Sequence, residues 1–449
     1  MYFIILHNIA LARLPRPCHD IPVASTPDED QKLAAELGHF KQLRKVAGML
    51  AFLHDNGCDR DKAGNRELHF DDYVLLVLLW MFNPALDSMR ALQRAADLEQ
   101  VCKNLNVKRF SLGSFSESCR QFEPSMLKGV VEQLAGEMRP TARGELFKRL
   151  PGIVELVDGT LLKTLRTVVE AMWLPGSDGK EAHRTHAWKL HLNFDVDRHV
   201  PASWELTDAR GEGKSHERSV LRKRLAADHT YVMDRNYAEF TLFNDIHRIG
   251  SGYVCRLRDN AAYEVLEDRP LSPADVKAGV LGDQVVRMGD GSKPAARPDH
   301  PMRLVRVKTT PHEKRGRVGG GTAGPGSDGV LRIATNLPDV PAEVIAFCYG
   351  YRWTLEVFIR FLKQVLGCRH LLSTRREGIE IQIYAAVICC MMVNILTGRK
   401  PDKWMVTLMG LYLGGWASDA DVLRELNKPD NTGIKLRAKA ELWKKLGVK

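Results

Sequence analysis

The sequence predicts an α/β protein: a mixed sheet flanked by helices, with a helical domain before it and a β-rich insertion within it. Three observations carry this. Apolar residues recur at helical spacing through residues 28–148. From Ile153 onward the texture changes to short runs in which apolar and polar residues alternate. The last core element, residues 349–363 (YGYRWTLEVFIRFLK), holds Leu355, Phe358, Ile359 and Leu362 at helical spacing, with no Gly or Pro after Gly350.

Residues 1–27 read as an N-terminal extension. The apolar start MYFIILHNIALA has no basic residue ahead of it and is interrupted by His7 and Asn8, so a frayed or mis-started terminus is expected rather than a signal peptide. In the helical domain, residues 28–148, Asp28 or Asp30 caps a helix running to Leu53 through Leu33, Leu37, Phe40, Leu43 and Val46. Residues 71–82 form a second, ended by Pro84, and Asp87 caps a third to about Leu98. Ser111 or Ser114 starts a fourth, and residues 126–138 form a fifth. Short helices with tight Ser and Pro turns allow a helix-turn-helix, with a plain helical bundle as the alternative.

Residues 149–257 form the first part of the core. Residues 153–162 (IVELVDGTLL) read as a strand with Asp158 inside it, an expensive place for a carboxylate unless it faces a cation or water. In residues 186–197, Trp188, Leu190, Leu192, Phe194 and Val196 alternate with polar residues, giving a half-buried strand. Residues 202–207 are a third strand, 214–226 a basic amphipathic helix, and 231–233 a short buried strand that ends at Asp234. A helix over 235–248 and a strand over 253–257 follow. Three strands, helix, strand, helix, strand is the order of an RNase H-like core, in which the fourth strand lies beside the first. That pairing brings Asp234 toward Asp158 at the carboxyl end of a strand, where sites gather in α/β sheets.

Residues 258–340 interrupt the core, with strands expected at 284–288, 302–307 and 330–335. From Gly291 to Gly320 there are eight Lys or Arg against Asp299 and Glu313, among them Arg303, Arg306, Lys314, Arg315 and Arg317. A basic loop of this kind suits phosphate contacts, and a merely solvated insertion is the alternative. Residues 341–400 complete the core and include a buried apolar helix at 379–396, whose Glu380, Gln382 and Asn394 leave its apolar run too short to span a bilayer. Residues 401–449 are a helical, basic tail.

On the helix at 349–363, Tyr349, Arg352, Glu356 and Lys363 fall within about 60° of arc. Alone, this is a solvated charged face with an Arg352–Glu356 pair. Together with Asp158 and Asp234, the pattern Y-x2-R-x3-E-x6-K resembles the signature of the insertion-sequence-four family of bacterial DDE transposases. The local contexts VDGT and MDR fit as well, so the resemblance covers roughly residues 150–400. It implies that Asp158, Asp234 and Glu356 are the catalytic carboxylates and hold Mg²⁺, which Mn²⁺ can replace, with Asp158 bridging two ions. It implies double-stranded DNA as partner, both the terminal inverted repeats and the target, a dimer in a synaptic complex, no ATP, and a cytoplasmic, nucleoid-associated location. The helical domain then recognises the ends through residues such as Lys103, Lys108, Arg109 and Arg120. Tyr349, Arg352 and Lys363 would contact DNA together with Arg235 and the basic residues of the insertion, Arg352 and Lys363 clamping flanking phosphates clear of the metal carboxylates. Some relatives carry a base-stacking Trp in the insertion; here it has none, and Tyr263 is the aromatic candidate. The other readings are an RNase H-like nuclease or resolvase, and a non-catalytic DNA-binding protein derived from a transposase.

Composition narrows the field. The 449 residues carry a formal charge of +10, which favours a polyanionic partner. Nine cysteines without a CxxC pair argue against a disulfide framework or zinc finger and suit a reducing cytosol. His183, His186 and His191 lie partly along a strand with no partner Cys, a poor zinc set. The GKS at 213–215 lacks the Gly-rich spacing of a phosphate loop, so no ATPase is indicated.

Overall fold

In a computed structural model of the chain, the described residues run from 41 to 426, apart from stretches of which the longest are 139–146, 165–171, 175–184, 290–296, 310–328 and 366–371. The chain divides into two compact units. One holds residues 139–376, and the other combines residues 18–138 with 377–449. The division at 376 falls within the stretch 341–400 that the sequence reading gave to the second part of the core.

The first unit is built on one sheet. Its strands are β1 (Ile153–Thr164), β2 (Met172–Leu174), β3 (Thr185–Asp195), β4 (Val200–Asp208), β5 (His229–Met233), β6 (Gly252–Arg256), β7 (Tyr263–Asp268), β8 (Val280–Met288), β9 (Met302–Lys308) and β10 (Val330–Thr335). Along the sheet the order is β2-β3-β1-β5-β6-β10-β9-β8-β7, and β4 shares the outer edge of β3 with β2. β3 is antiparallel to β1 and β4, while β1, β5 and β6 run parallel. The stretch β4-β3-β1-β5-β6 therefore has the order and directions of an RNase H-like fold, with a mixed sheet flanked by helices. Its helices are α1 (Glu217–Arg222), α2 (Phe240–Arg248), α3 (Pro273–Lys277), α4 (Ala342–Tyr351) and α5 (Trp353–Val365).

The insertion is not a separate body. β10 pairs with β6, and β9, β8 and β7 continue the same sheet by antiparallel steps. β7 carried no signal in the sequence because it is an edge strand with almost every residue exposed. With no buried face, no alternation is imposed.

The residues predicted at 235–248 as one helix divide in two. Asp234 accepts from the Asn236 N–H at 2.8 Å and caps a 3-10 turn at Arg235–Tyr237. Ala238 and Glu239 are extended, and α2 begins at Phe240. One face of the sheet is sealed by this segment: Val157, Tyr231, Met233 and Tyr253 pack with Leu221 of α1 and Leu242, Phe243 and Ile246 of α2, all fully buried. On the other face Phe358 of α5 meets Phe194 of β3, ring centres 4.9 Å apart.

A local device sets the register that matters for the site. Gly152, at φ +65°, and Asp228, at φ +56°, sit side by side just before β1 and β5. The Ile153 N–H donates to the Asp228 carbonyl at 2.9 Å. A Cβ on Gly152 would lie 1.9 Å from that oxygen, so only glycine permits the approach. From there the parallel register runs from Ile153↔His229 to Val157↔Met233.

In the other unit the helix Phe70–Phe82 is buried on nearly all sides. Phe70 stacks on Phe122 and Tyr73 on Phe115, ring centres 4.6 and 4.4 Å apart. The helix Arg376–Thr397 is long and apolar enough to cross a membrane, yet 78% of its apolar window is buried within the protein, as in a core helix. The helix at Lys41–Leu50 falls within the predicted first helix, whose earlier part, with Asp28 and Asp30, lies outside the described residues. Lys108, Arg109 and Arg120 are exposed, with Arg109 on Asp97 at 3.1 Å and Arg120 on Glu117 at 2.8 Å. The side chain of Lys103 lies outside the described set.

Candidate active site

The register that ends at Val157↔Met233 puts Asp158 and Asp234 at the next position of two neighbouring parallel strands. β5 stops there, so Asp234 stands at its carboxyl end. β1 continues to Thr164 against β3, which holds Asp158 in a paired strand rather than a loop. Glu356 comes from the first turn of α5, where a carboxylate is favoured by the helix dipole.

Arg352 joins them. Its Nη1 donates to Asp158 Oδ2 at 3.0 Å, and its Nη2 donates to Glu356 Oε1. One guanidinium thus spans a carboxylate from the sheet and one from the helix. The residues predicted as one helix at 349–363 are two: α4 ends at Tyr351 and α5 starts at Trp353. Arg352 keeps right-handed helical dihedrals, but its N–H turns to the Tyr349 carbonyl and the Leu355 N–H to the Arg352 carbonyl, i to i−3 bonds that tighten the turn. Gly350, a poor helix former, lies at this seam. This corrects the expectation that Arg352 stands clear of the metal carboxylates.

The electrostatics fit a cation site. Burial raises the Asp158 carboxyl to about 6. The neighbouring charges of Asp234 and Glu356 push the same way, while Arg352 and the Gly159 N–H, 2.8 Å from Oδ1, oppose it. Asp158 and Glu356 share one guanidinium and Asp234 adds a third carboxylate nearby, which leaves a surplus of negative charge. Their oxygens are the hard donors that Mg²⁺ and Mn²⁺ prefer.

Behind Asp158 lies a pair the sequence did not disclose. Lys189 Nζ and Glu217 Oε1 are 2.6 Å apart, both largely buried. A Cβ on Gly159 would meet Glu217 Oε1 at 2.9 Å and Lys189 Cε at 3.1 Å. The glycine of VDGT is therefore a point of close approach and not only a break in the strand. The glycine itself was the one available signal, since Lys189 and Glu217 are remote in sequence.

The remaining predicted site residues divide. Tyr349 is 7% exposed, and burial raises its phenol above the usual range, so it supports Arg352 from within and presents no stacking face. Lys363, near the end of α5, and Arg235, in the turn after Asp234, are half-buried. Arg303 is turned into the protein. Its side chain is 5% exposed, with Nε and Nη2 each 2.6 Å from Asp283 and Nη1 on the Leu337 and Val340 carbonyls. Every arm of its fork is used inside the protein. Arg306 is half-buried and lies across Gly282, where a Cβ would be 2.5 Å from its guanidinium. Lys314, Arg315 and Arg317 lie outside the described residues. Tyr263 is packed against the core and is only half exposed.

His191 is a core histidine. It is 1% exposed, with Nε2 bonded to Thr207 Oγ1 at 2.8 Å. Burial, then the charges of Lys189, Arg224, His216 and Lys223, push it down to about 3. The unfolded chain takes up this proton from about pH 6.5, the folded chain only near 3, so this stability is complete above 6.5 and is lost as pH falls toward 3. The expected slope approaches about 1.4 kcal/mol per pH unit in that window. Urea unfolding of the parent and of His191→Gln at pH 7 and 4.5 checks this: the variant should lose less stability on acidification, and equal losses would refute it. His183 and the side chain of His186 lie outside the described residues. Elsewhere, His54, Asp71 and Asp72 bring ligand atoms within 4.8 Å of one another. These groups already serve the helical unit: His54 pairs with Asp71 at 3.0 Å, and Asp72 accepts from the His69 N–H that opens its helix.

A sheet with this strand order, with two aspartates at adjacent positions of neighbouring parallel strands and a glutamate brought to them by α5, defines an RNase H-like protein. Comparison with known proteins agrees. The chain matches the family described as Transposase DDE domain over residues 151–392, more than half its length, and belongs to that family. It is similar to a putative transposase of Sinorhizobium fredii, 26% identical over 48% of this chain. It is also similar to a probable transposase for insertion sequence element IS5377 of Geobacillus stearothermophilus, 23% identical over 72% of this chain and 76% of that one. The match spans about half of the Sinorhizobium relative, 55% of its length. Among solved structures, the piggyBac transposase synaptic complex with hairpin DNA aligns over 91% of this chain and 84% of that one, at 11% identity. Its TM-score of 0.38 is too low to bear on fold or function.

Proposed function

We propose that the chain is a transposase that cuts DNA at the ends of its insertion sequence and joins the freed 3′-OH ends to target DNA. The carrying observation is the convergence of Asp158 and Glu356 on one guanidinium, with Asp234 next in register. Mg²⁺ or Mn²⁺ held by these three carboxylates would supply charge neutralisation at the attacking and leaving oxygens of a phosphodiester. The chain's own residues do the placing. Asp158 and Asp234 are fixed by paired strands and a capped turn, and Glu356 by a helix packed on the sheet, so the carboxylates need little reorganisation. Lys363 and Arg235 offer positive charge to flanking phosphates.

The family match and the insertion-sequence relatives support duplex DNA as the substrate. The Y-x2-R-x3-E-x6-K pattern supports the narrower insertion-sequence-four assignment, and with it two copies holding two ends, no ATP and action in the cytoplasm at the nucleoid. The helical unit, with Lys108, Arg109 and Arg120 exposed, is the proposed reader of the ends. The test incubates the purified chain with a duplex bearing the terminal repeats of its own element and supercoiled target DNA. Mg²⁺-dependent release of a 3′-OH end and its covalent appearance in the target are expected. Cutting without joining would reassign the chain as an RNase H-like nuclease, and end binding with neither step as a non-catalytic derivative.

A further inference from the structure

The guanidinium of Arg352 occupies the very oxygens, Asp158 Oδ2 and Glu356 Oε1, that the proposed centre offers to a divalent ion. Arg352 is largely buried, its side chain 13% exposed, and so is Asp158 at 19%. Three residues supply negative charge around it: Asp158, Glu356 and Asp234. A guanidinium in such a place is a built-in counter-ion. It is planar, always charged and able to bond two separate carboxylates at once, which an ammonium does poorly.

We propose that Arg352 and the divalent ion are alternative counter-ions of Asp158 and Glu356, and that loading the ion releases the guanidinium to take a DNA phosphate. This rests on the three-carboxylate centre proposed above. The physics is a competition. An oxygen that donates its lone pairs to a cation gives up most of its bond to Arg352, and two like charges on one carboxylate repel. The freed arginine lies one residue outside α5 and one turn from Glu356, so it needs to swing only its side chain to reach a phosphate beside the reacting one. The same residue then serves twice: it ties Asp158 to Glu356 before loading and holds the nucleic acid after it.

The test reads metal binding and side-chain reactivity rather than cleavage. Mn²⁺ titration of the full chain by calorimetry compares the parent with Arg352→Gln. Loss of the competing charge should tighten Mn²⁺ binding about tenfold or more, because a neighbouring arginine lowers a carboxylate's affinity for a proton by about one to three powers of ten and opposes a divalent ion at the same oxygens in the same way. In EDTA, the variant should melt at a lower temperature than the parent and should gain more from added Mn²⁺. Phenylglyoxal modification of the parent, mapped by mass spectrometry, supplies a second reading that needs no variant: Arg352 should react faster in Mg²⁺ than in EDTA. Unchanged or weaker Mn²⁺ binding by Arg352→Gln, or no Mg²⁺-dependent gain in Arg352 reactivity, would overturn the proposal. Asp158→Asn and Glu356→Gln tell the two levels apart. If they abolish Mn²⁺ binding while Arg352→Gln leaves it unchanged, the centre stands and the exchange fails. If they bind Mn²⁺ as the parent does, both fail.

Discussion

Asp158→Asn, Asp234→Asn and Glu356→Gln will each reduce strand cleavage on the order of a thousandfold while leaving binding to the terminal repeats nearly unchanged. Each substitution keeps shape and removes the one negative charge that the residue brings to the centre. Asp158 and Glu356 each hold Arg352 by a single bond, so either substitution leaves the guanidinium its other carboxylate. Burial raises the Asp158 carboxyl to about 6 against the opposing pull of Arg352, so an added cation favours its charged form. Single-turnover cleavage in Mg²⁺, beside mobility shifts of the same duplex, measures both quantities. Near-full cleavage by any one variant would remove that residue from the centre, and parallel loss of binding would show that the substitution had damaged the fold.

Arg303→Met will destabilise the protein by about 3 kcal/mol, because it leaves buried Asp283 with the more distant Arg269, 3.8 Å away, as its counter-charge. Both side chains are 5% exposed, and the two bonds between them are 2.6 Å each. The carbonyls of Leu337 and Val340 lose a donor as well. For a unit of this size the melting temperature should fall by roughly 10 °C. The double variant Arg303→Met/Asp283→Leu should regain much of the loss, since replacing both partners removes the buried charge. A salt slope of DNA binding unchanged by Arg303→Met would accompany these results. A fall in slope with normal stability would return Arg303 to the DNA-facing set.

Arg303 shows why the insertion was hard to read. In the sequence it is one of eight basic residues in a stretch that looks solvated. Only the pairing of β8 with β9 sets Val285 opposite Arg303 and Asp283 opposite Val305, and so brings the two charges together. Charge alone does not say which face of a strand is covered. β7 failed for a related reason, since an exposed edge leaves no apolar period. Likewise, nothing local marks the helix at Arg376–Thr397 as a partner of the N-terminal helices, because an apolar run reports burial and not the neighbour that provides it.

The sequence by itself determined the order of the elements that frame the site, β1, β3, β4, α1, β5 and β6, and the chain positions of Asp158, Asp234 and Glu356. Alternation and helical spacing are imposed by the backbone period, and a carboxylate inside an apolar strand stands out because its burial is costly. The tertiary structure alone decided three things. It set the register fixed by Gly152 against Asp228, which brings Asp234 beside Asp158. It placed Lys189 and Glu217 behind Gly159. And it tightened the turn at Arg352, which lets one guanidinium span two carboxylates. Each depends on contacts between residues far apart in the chain or on a change of two backbone hydrogen bonds, and neither leaves a period in the sequence.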